Sequence, residues 1–306
     1  MSLSSPIQWC DGTVNPVIGC QGCELWAPKP GPGRRRSCYA GYLHDRSGGT
    51  NVGFAAQFLH PTMRVGEMEK AARASSLVGL RRRDKPWLDG LPRLWFVSDM
   101  GDALSRGIDF RFLRAEIIDV AANPLGRRHQ WQWLTKQPAQ MAKFSRELQE
   151  QGVTWPENVW AGTSITEPRY LERIEALARV GDDRTIRFLS IEPQHQPLTL
   201  RGHLESISWV VVGGESGPRE QTRSLTNEQY EERKARPFDL EWARALRDDC
   251  RRAKVPFFLK QLGSLPVENG EPFRPKGIDS HGGNWEVWPV DLRVREMPIK
   301  PGRRLP

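Results

Sequence analysis

The chain has 306 residues, 38% of them apolar, and a formal net charge of +8. That length holds one large domain or two modest ones around a sizeable core. No run approaches the roughly eighteen consecutive apolar residues of a membrane helix, and the opening MSLSSPIQWC has no basic stretch leading into an apolar one, so a cytoplasmic location is expected.

In chain order, a first strand is expected near TVNPVIG (13–19), followed by a loop that carries Cys20, Cys23 and Cys38. Six further apolar runs read as buried strands: RLWFVSD (93–99), WQWLTK (131–136), VWAGTSI (159–165), IRFLSIEP (186–193), SWVVVGGE (208–215) and VPFFLKQ (255–261). They are rich in Val, Ile, Phe and Trp, and most stop at a polar or Gly-containing segment. Helical patterns lie between them. One spans 109–123, with Phe110, Leu113, Ile117, Val120 and Ala121 apolar; another spans 167–180 around Leu171, Ile174 and Leu177. A third, 238–254, can be capped by Asp239 and buries a stripe of Leu240, Ala243, Leu246 and Cys250. The alternation predicts a parallel α/β fold, a partial or complete TIM-like (β/α) barrel over 1–263, with a doubly wound open sheet as the alternative. Residues 216–237 read as an inserted polar loop with a short helix. The Gly-, Pro- and Trp-rich stretch 264–306 reads as an irregular extension packing on the barrel.

Parallel α/β folds gather their ligands at the carboxyl ends of the strands. Here those ends carry Ser98, Asp99 and Asp102, then Thr135 and Lys136, Thr163 and Ser164, Glu192, the GGESG of 213–217, and Lys260 with Gln261. Any one of these could be a turn residue or a cap. Their succession implies one polar pocket at the barrel mouth, with the cysteine loop over it. Gly213 and Gly214 would let backbone approach a ligand, Glu215 could accept hydrogen bonds from an amine or a ribose, and a tight turn gives the same letters. Lys136 and Lys260 could bind a carboxylate or phosphate, or act as acids or bases where desolvation lowers their pKa.

Cys20 and Cys23 are two residues apart, and fourteen residues separate Cys23 from Cys38. A structural zinc site would need a fourth ligand, for which His44 or Cys10 is available. A disulfide is disfavoured in a reducing compartment, and a thiol nucleophile lacks an evident base, since His195 and His281 read as surface residues. An iron–sulfur cluster on three thiolates would leave one iron open to a second ligand. On spacing alone, zinc and iron–sulfur are equal.

The positive charge is mainly arginine, in clusters at Arg34–Arg36, Arg81–Arg83, Arg127 and Arg128, Arg247–Lys254, and Arg303 and Arg304. Arginine forks suit phosphate, and the twelve tryptophans could stack on bases. A nucleic acid or nucleotide is therefore the partner class to test, against the plainer reading of solvated helix faces.

The segments IQWCDGTVNPVIGC with SCYAGYL, FVSDMGD, WQWLTKQPAQM, NVWAGTSI, RFLSIEP, WVVVGGESGPRE and LRDDCRRAKVPFFLKQLG resemble, in this order, the phage Gp37/Gp68 (DUF5131) family. The resemblance runs from about residue 7 to 263. That family looks like a divergent radical S-adenosylmethionine barrel with an N-terminal three-cysteine motif. Cys20 and Cys38 match its first and third cysteines; the second falls at Arg35, so Cys23 is the thiol that would replace it. The resemblance implies a [4Fe–4S] cluster on Cys20, Cys23 and Cys38 whose open iron binds S-adenosylmethionine. It also implies an external electron donor and hydrogen abstraction by a 5′-deoxyadenosyl radical. Ser98 and Asp99 would then lie near the methionine part and Thr163 and Ser164 near the ribose. Gly213, Gly214 and Glu215 would line the cofactor, and Lys136, Lys260 and Glu192 would serve catalysis. Two other readings stand beside this one: a zinc-stabilised nucleic-acid-binding protein without catalysis, and a cluster-less barrel enzyme working by acid–base chemistry.

Overall fold

Each of the seven apolar runs forms a strand of one sheet. In the computed structural model, which describes residues 1–27, 29, 35–47, 53–221 and 226–299, these are β1 (Gly12–Val14), β2 (Arg93–Val97), β3 (His129–Thr135) and β4 (Val159–Ser164). They continue with β5 (Arg187–Ile191), β6 (Trp209–Gly213) and β7 (Phe257–Gln261). All neighbouring pairs are parallel and the spatial order is the chain order, with no reversal. A sheet wound in one direction curls into a partial barrel, which excludes the doubly wound alternative. Arg34, Arg303 and Arg304 lie outside the described residues.

Alternation along the strands sorts the core into two layers. Trp95, Val97, Trp131, Trp133, Ala161, Leu189, Val210 and Phe257 face the outer helices. Phe96, Trp160, Phe188, Trp209, Val211 and Phe258 fill the concave side together with Trp9 and Cys10. Trp9 packs on Phe96 at 4.6 Å between ring centroids, and Trp209 meets Trp160 and Phe258 edge-on at 5.9 and 5.7 Å. This is a packed interior of aromatic rings, not a channel. None of the twelve tryptophans is exposed and eight are fully buried, while Trp87, Trp242 and Trp285 are half-buried.

The outer helices arise from the same sorting. In chain order they are α1 (Tyr39–Ser47), α2 (Glu67–Ala72), α3 (Phe110–Ala122), α4 (Pro138–Glu150), α5 (Glu172–Ala178), α6 (Asn227–Arg233) and α7 (Leu240–Ala253). Asp109 caps α3 through Arg111 N at 2.8 Å. A π turn over Arg114–Asp119 widens the helix so that Ile117 and Ile118 are both buried. The expected helix at 167–180 is shortened because Pro168–Tyr170 forms a 3-10 turn. Asp239 caps α7 as its position suggests, and Leu240, Ala243, Leu246 and Cys250 are buried. The inserted segment carries α6, started by a Thr226–Gln229 capping box. Helices α1, α2 and α4 are additional to the elements expected from the sequence.

β1 and β7 do not pair with each other. Ser2 bridges the free edge of β1, exchanging hydrogen bonds of 2.8 and 3.0 Å with Thr13. The free edge of β7 is covered by an antiparallel tail, with Leu259 N on Val294 O at 2.9 Å and Glu296 N on Phe257 O at 3.0 Å. Between these edges the Arg295 guanidinium sits 4.1 Å from the Trp87 ring and about equally far from Trp285 and Trp288, at 5.0 and 5.1 Å. It donates to the carbonyls of Leu259 and Lys260 and to Gln8 Oε1. No helix among the described residues is long and apolar enough to cross a membrane.

Part of the positive charge is paired within the structure: Arg82 is buried against Asp11 at 2.8 Å, and Arg247 binds Asp291 at 2.6 Å. Arg81, Arg83, Arg127, Arg128, Arg251 and Arg252 are exposed.

A candidate site at the mouth of the partial barrel

The cysteine loop is stitched across the carboxyl ends of the strands at three places. Its start lies on the segment after β2: Gly19 N donates to Met100 O at 3.0 Å, and Arg106 N donates to Gln21 Oε1 at 2.7 Å. The backbones approach so closely that a Cβ on Gly101 would stand 2.4 Å from Gly19 O. Its middle is held by Glu24, whose carboxylate accepts from Thr166 Oγ1 at 3.1 Å beyond β4 and from Arg173 of α5 at 3.3 Å. Its end is held by Arg35, which donates to Lys234 O at 2.7 Å and lies 3.5 Å from Glu215 beyond β6.

Within the loop, Cys23 and Trp26 exchange backbone hydrogen bonds of 3.1 and 3.0 Å, and Ala27 N donates to Arg35 O at 2.9 Å. These pairs close the base of the excursion. Cys38 N then donates to Leu25 O at 3.0 Å, which returns the third cysteine beside the second. Cys20 and Cys38 both pack on the small cluster of Trp26, Ala40 and Phe58. The three thiols feel one another. Burial, reinforced by Asp102 and by the two other cysteines, pushes Cys20 up to about 12; burial chiefly raises Cys23 to about 11, against the pull of Lys136.

Lys136, just past β3, is half-buried and points its charge at this group. Burial works against its ammonium, but Cys23, Glu24 and Cys38 outweigh it and hold the pKa above the ordinary lysine range. Its ammonium makes no hydrogen bond within the described residues. Glu24 is likewise held below the ordinary carboxylate range, because Lys136 and Arg173 overcome the cost of its burial.

The other expected residues divide. Ser98 is buried, and its hydroxyl has no partner among the described residues. Asp99 accepts from Asn15 Nδ2 at 2.6 Å, and burial raises its pKa. Thr163 donates to Thr135 O at 2.9 Å inside the sheet, so its hydroxyl is already committed, while Ser164 is buried and its carbonyl binds Arg173 at 2.8 Å. Lys260 and Glu192 form an ion pair on the concave side, over Gly213, where a Cβ would lie 3.4 Å from Glu192 Cδ. Gly214 is required by close approach: a Cβ there would stand 2.3 Å from Leu262 O. Glu215 is gripped by Arg236 through Nε and Nη2, each at 2.7 Å, and Arg236 outweighs burial to hold its pKa below the ordinary range.

Three corrections concern the reserve ligands and the histidines. Cys10 lies in the concave aromatic layer, and burial raises its thiol to about 12. His44 turns Nδ1 to Ala40 O at 2.8 Å and packs against Phe54 and Phe58. His195 is not a surface residue: its side chain is 3% exposed, whereas His281 is exposed as expected. Glu24, Arg173 and Arg236 complete the site and were not expected from the sequence. Only the position of Glu24 next to Cys23 could have marked any of them. Among the described residues, no three or more His, Cys, Asp or Glu side chains are arranged to share a metal ion.

No curated protein and no solved structure matches the chain. A family model, described as a protein of unknown function (DUF5131), matches residues 4–289, which include the whole sheet and much of the chain beyond β7. The chain therefore belongs to the DUF5131 family.

Proposed function

We propose that the protein is an enzyme of the radical S-adenosylmethionine type, with Cys20, Cys23 and Cys38 as the three thiolates of a [4Fe–4S] cluster. The observation that carries this reading is the gathering of three thiols in one loop tied across the strand ends of a parallel half-barrel. Soft sulfur donors suit iron–sulfur chemistry. When bound, such a cluster supplies the electron that cleaves the sulfonium of S-adenosylmethionine.

The chain's own residues would do the rest. Trp26 and Phe58 pack on Cys20 and Cys38, and Lys136 supplies a positive charge that favours thiolate over thiol at Cys23. Ser98 offers an unpaired hydroxyl at the floor of the mouth, and the Lys260–Glu192 pair can exchange a proton with a substrate lying over Gly213. That same pair favours a second reading, a barrel that works by acid–base chemistry alone.

Iron, acid-labile sulfide and zinc should be measured on protein purified and reconstituted without oxygen, beside Cys38→Ala. About four irons and four sulfides per chain, lost in the variant, are expected. Zinc alone, or no metal, would overturn the cluster and leave the acid–base reading.

A further inference from the structure

His195 lies four residues beyond β5, and its backbone spans two neighbouring strand ends. Its N–H donates to Thr166 O at 3.2 Å beyond β4, while the preceding Gln194 N donates to Gly213 O at 3.0 Å at the end of β6. Thr166 in turn donates to Glu24 of the cysteine loop. The backbone of His195 is thus tied to a residue that itself bonds the loop over the mouth, and Arg236, Glu215, Arg35 and Glu24 act electrostatically on its imidazole.

The side chain is 3% exposed, yet neither ring nitrogen has a hydrogen-bond partner among the described residues; Glu167 Oε1 is 3.8 Å from Nδ1. Gln194 beside it is also buried, and its Oε1 is unpaired too. Buried polar atoms almost always have partners, and for these three atoms on two adjacent residues the described residues supply none. Burial, helped by Arg236 and Arg35, pushes the His195 pKa down to about 3, which favours the neutral ring near pH 7. A neutral imidazole has one donor nitrogen and one acceptor nitrogen.

We infer that His195 is a ligand-contacting residue of the mouth and that its imidazole, with the neighbouring Gln194 amide oxygen, hydrogen-bonds an uncharged group with both a donor and an acceptor, of the kind a nucleobase edge presents. This rests on the reading of the mouth as a cofactor and substrate site, where the base belongs either to S-adenosylmethionine or to the substrate.

The test is ¹⁵N-histidine NMR on the full chain, of known iron content, with the His195 signals assigned from His195→Asn. The probes are S-adenosylmethionine and the four deoxynucleosides in turn, with ribose 5-phosphate as control. The expected result is a neutral His195 at pH 7 whose ring nitrogens shift saturably with a base-containing probe and not with ribose 5-phosphate. A response to S-adenosylmethionine assigns the cofactor's base; a response confined to one deoxynucleoside assigns the substrate's. His195→Phe should weaken that binding about tenfold or more, and His195→Asn, which keeps a donor and an acceptor, should weaken it less. No shift with any probe, equal shifts with ribose 5-phosphate, or unweakened binding by His195→Phe would overturn the inference. Four irons per chain with a silent His195 would refute this inference alone. A responsive His195 in a chain that takes up no iron would refute the cluster alone.

Discussion

Arg236 holds Glu215 in a two-bond fork, Nε and Nη2 each 2.7 Å from a carboxylate oxygen, and Arg35 of the cysteine loop reaches the same carboxylate at 3.5 Å. The end of β6, the inserted segment and the cysteine loop therefore share one buried anion. Glu215→Gln should cost stability near the lower end of the about 3–5 kcal/mol typical for removing one partner of a buried ion pair, since Arg236 is 25% exposed. The folded carboxyl is held below its ordinary pKa, so its contribution is present above the usual carboxylate range and is lost as pH falls through the depressed value. Urea denaturation at pH 7 and pH 4 checks both points. A variant as stable as the native chain at pH 7 would show that the clamp is dispensable.

Arg35 fastens the far end of the cysteine loop through Lys234 O and Glu215. Arg35→Ala should free that end and raise the rate at which iodoacetamide alkylates Cys23 and Cys38 severalfold, with little change at Cys250, which lies in the core. Peptide-resolved mass spectrometry reads each thiol separately. Equal rates in variant and native chains would show that the loop is held by its other two attachments.

Lys260 and Glu192 neutralise each other on the concave side of the mouth. Lys260→Met alone should destabilise more than Lys260→Met combined with Glu192→Gln, because the single change leaves a partly buried carboxylate unpaired. If the pair also moves a proton, turnover will be lost in both variants while stability returns in the double one. A double variant with full turnover would confine the pair to structure.

Gly214 faces the Leu262 carbonyl with no room for a side chain. Gly214→Ala should cost about 1–3 kcal/mol as overpacking, shifting the segments after β6 and β7 apart. An unchanged thermal midpoint would argue that these segments are looser than their spacing implies.

The neutral state of His195 has its own signature. The unfolded chain takes up a proton near pH 6.5 and the folded one only near 3, so stability should fall as pH drops through that window. The slope from this group is at most about 1.4 kcal/mol per pH unit. His195→Gln should flatten the difference between pH 7 and pH 5 in urea denaturation. An identical difference in both chains would mean that His195 titrates normally.

The strands were legible because each is a short apolar run stopped by polar residues, and the polar stops put Ser98, Lys136, Glu192 and Lys260 at one end of the sheet. Burial of loop residues was not legible. His195 sits between glutamines and prolines, a composition that reads as surface. Its backbone is tied to Thr166, and that of Gln194 to Gly213, both from distant parts of the chain. The tryptophans read two ways for a related reason: a ring that could stack on a base is also the ring that best fills a barrel interior. Of the clustered arginines, Arg35, Arg82 and Arg247 face Glu215, Asp11 and Asp291, which no local pattern in the sequence marks.

The tail strand beside β7 has a consequence for how the protein is made. Val294–Glu296 and the Arg295 guanidinium among Trp87, Trp285 and Trp288 complete the wall next to Gln8, near the opposite end of the chain. During synthesis the last parallel strand leaves the ribosome with a bare hydrogen-bonding edge, and the residues that cover it come nearly forty positions later. Until they emerge, that edge is open to other nascent chains. Translation pauses between residues 261 and 294 would therefore lengthen the interval in which this chain is most prone to aggregate.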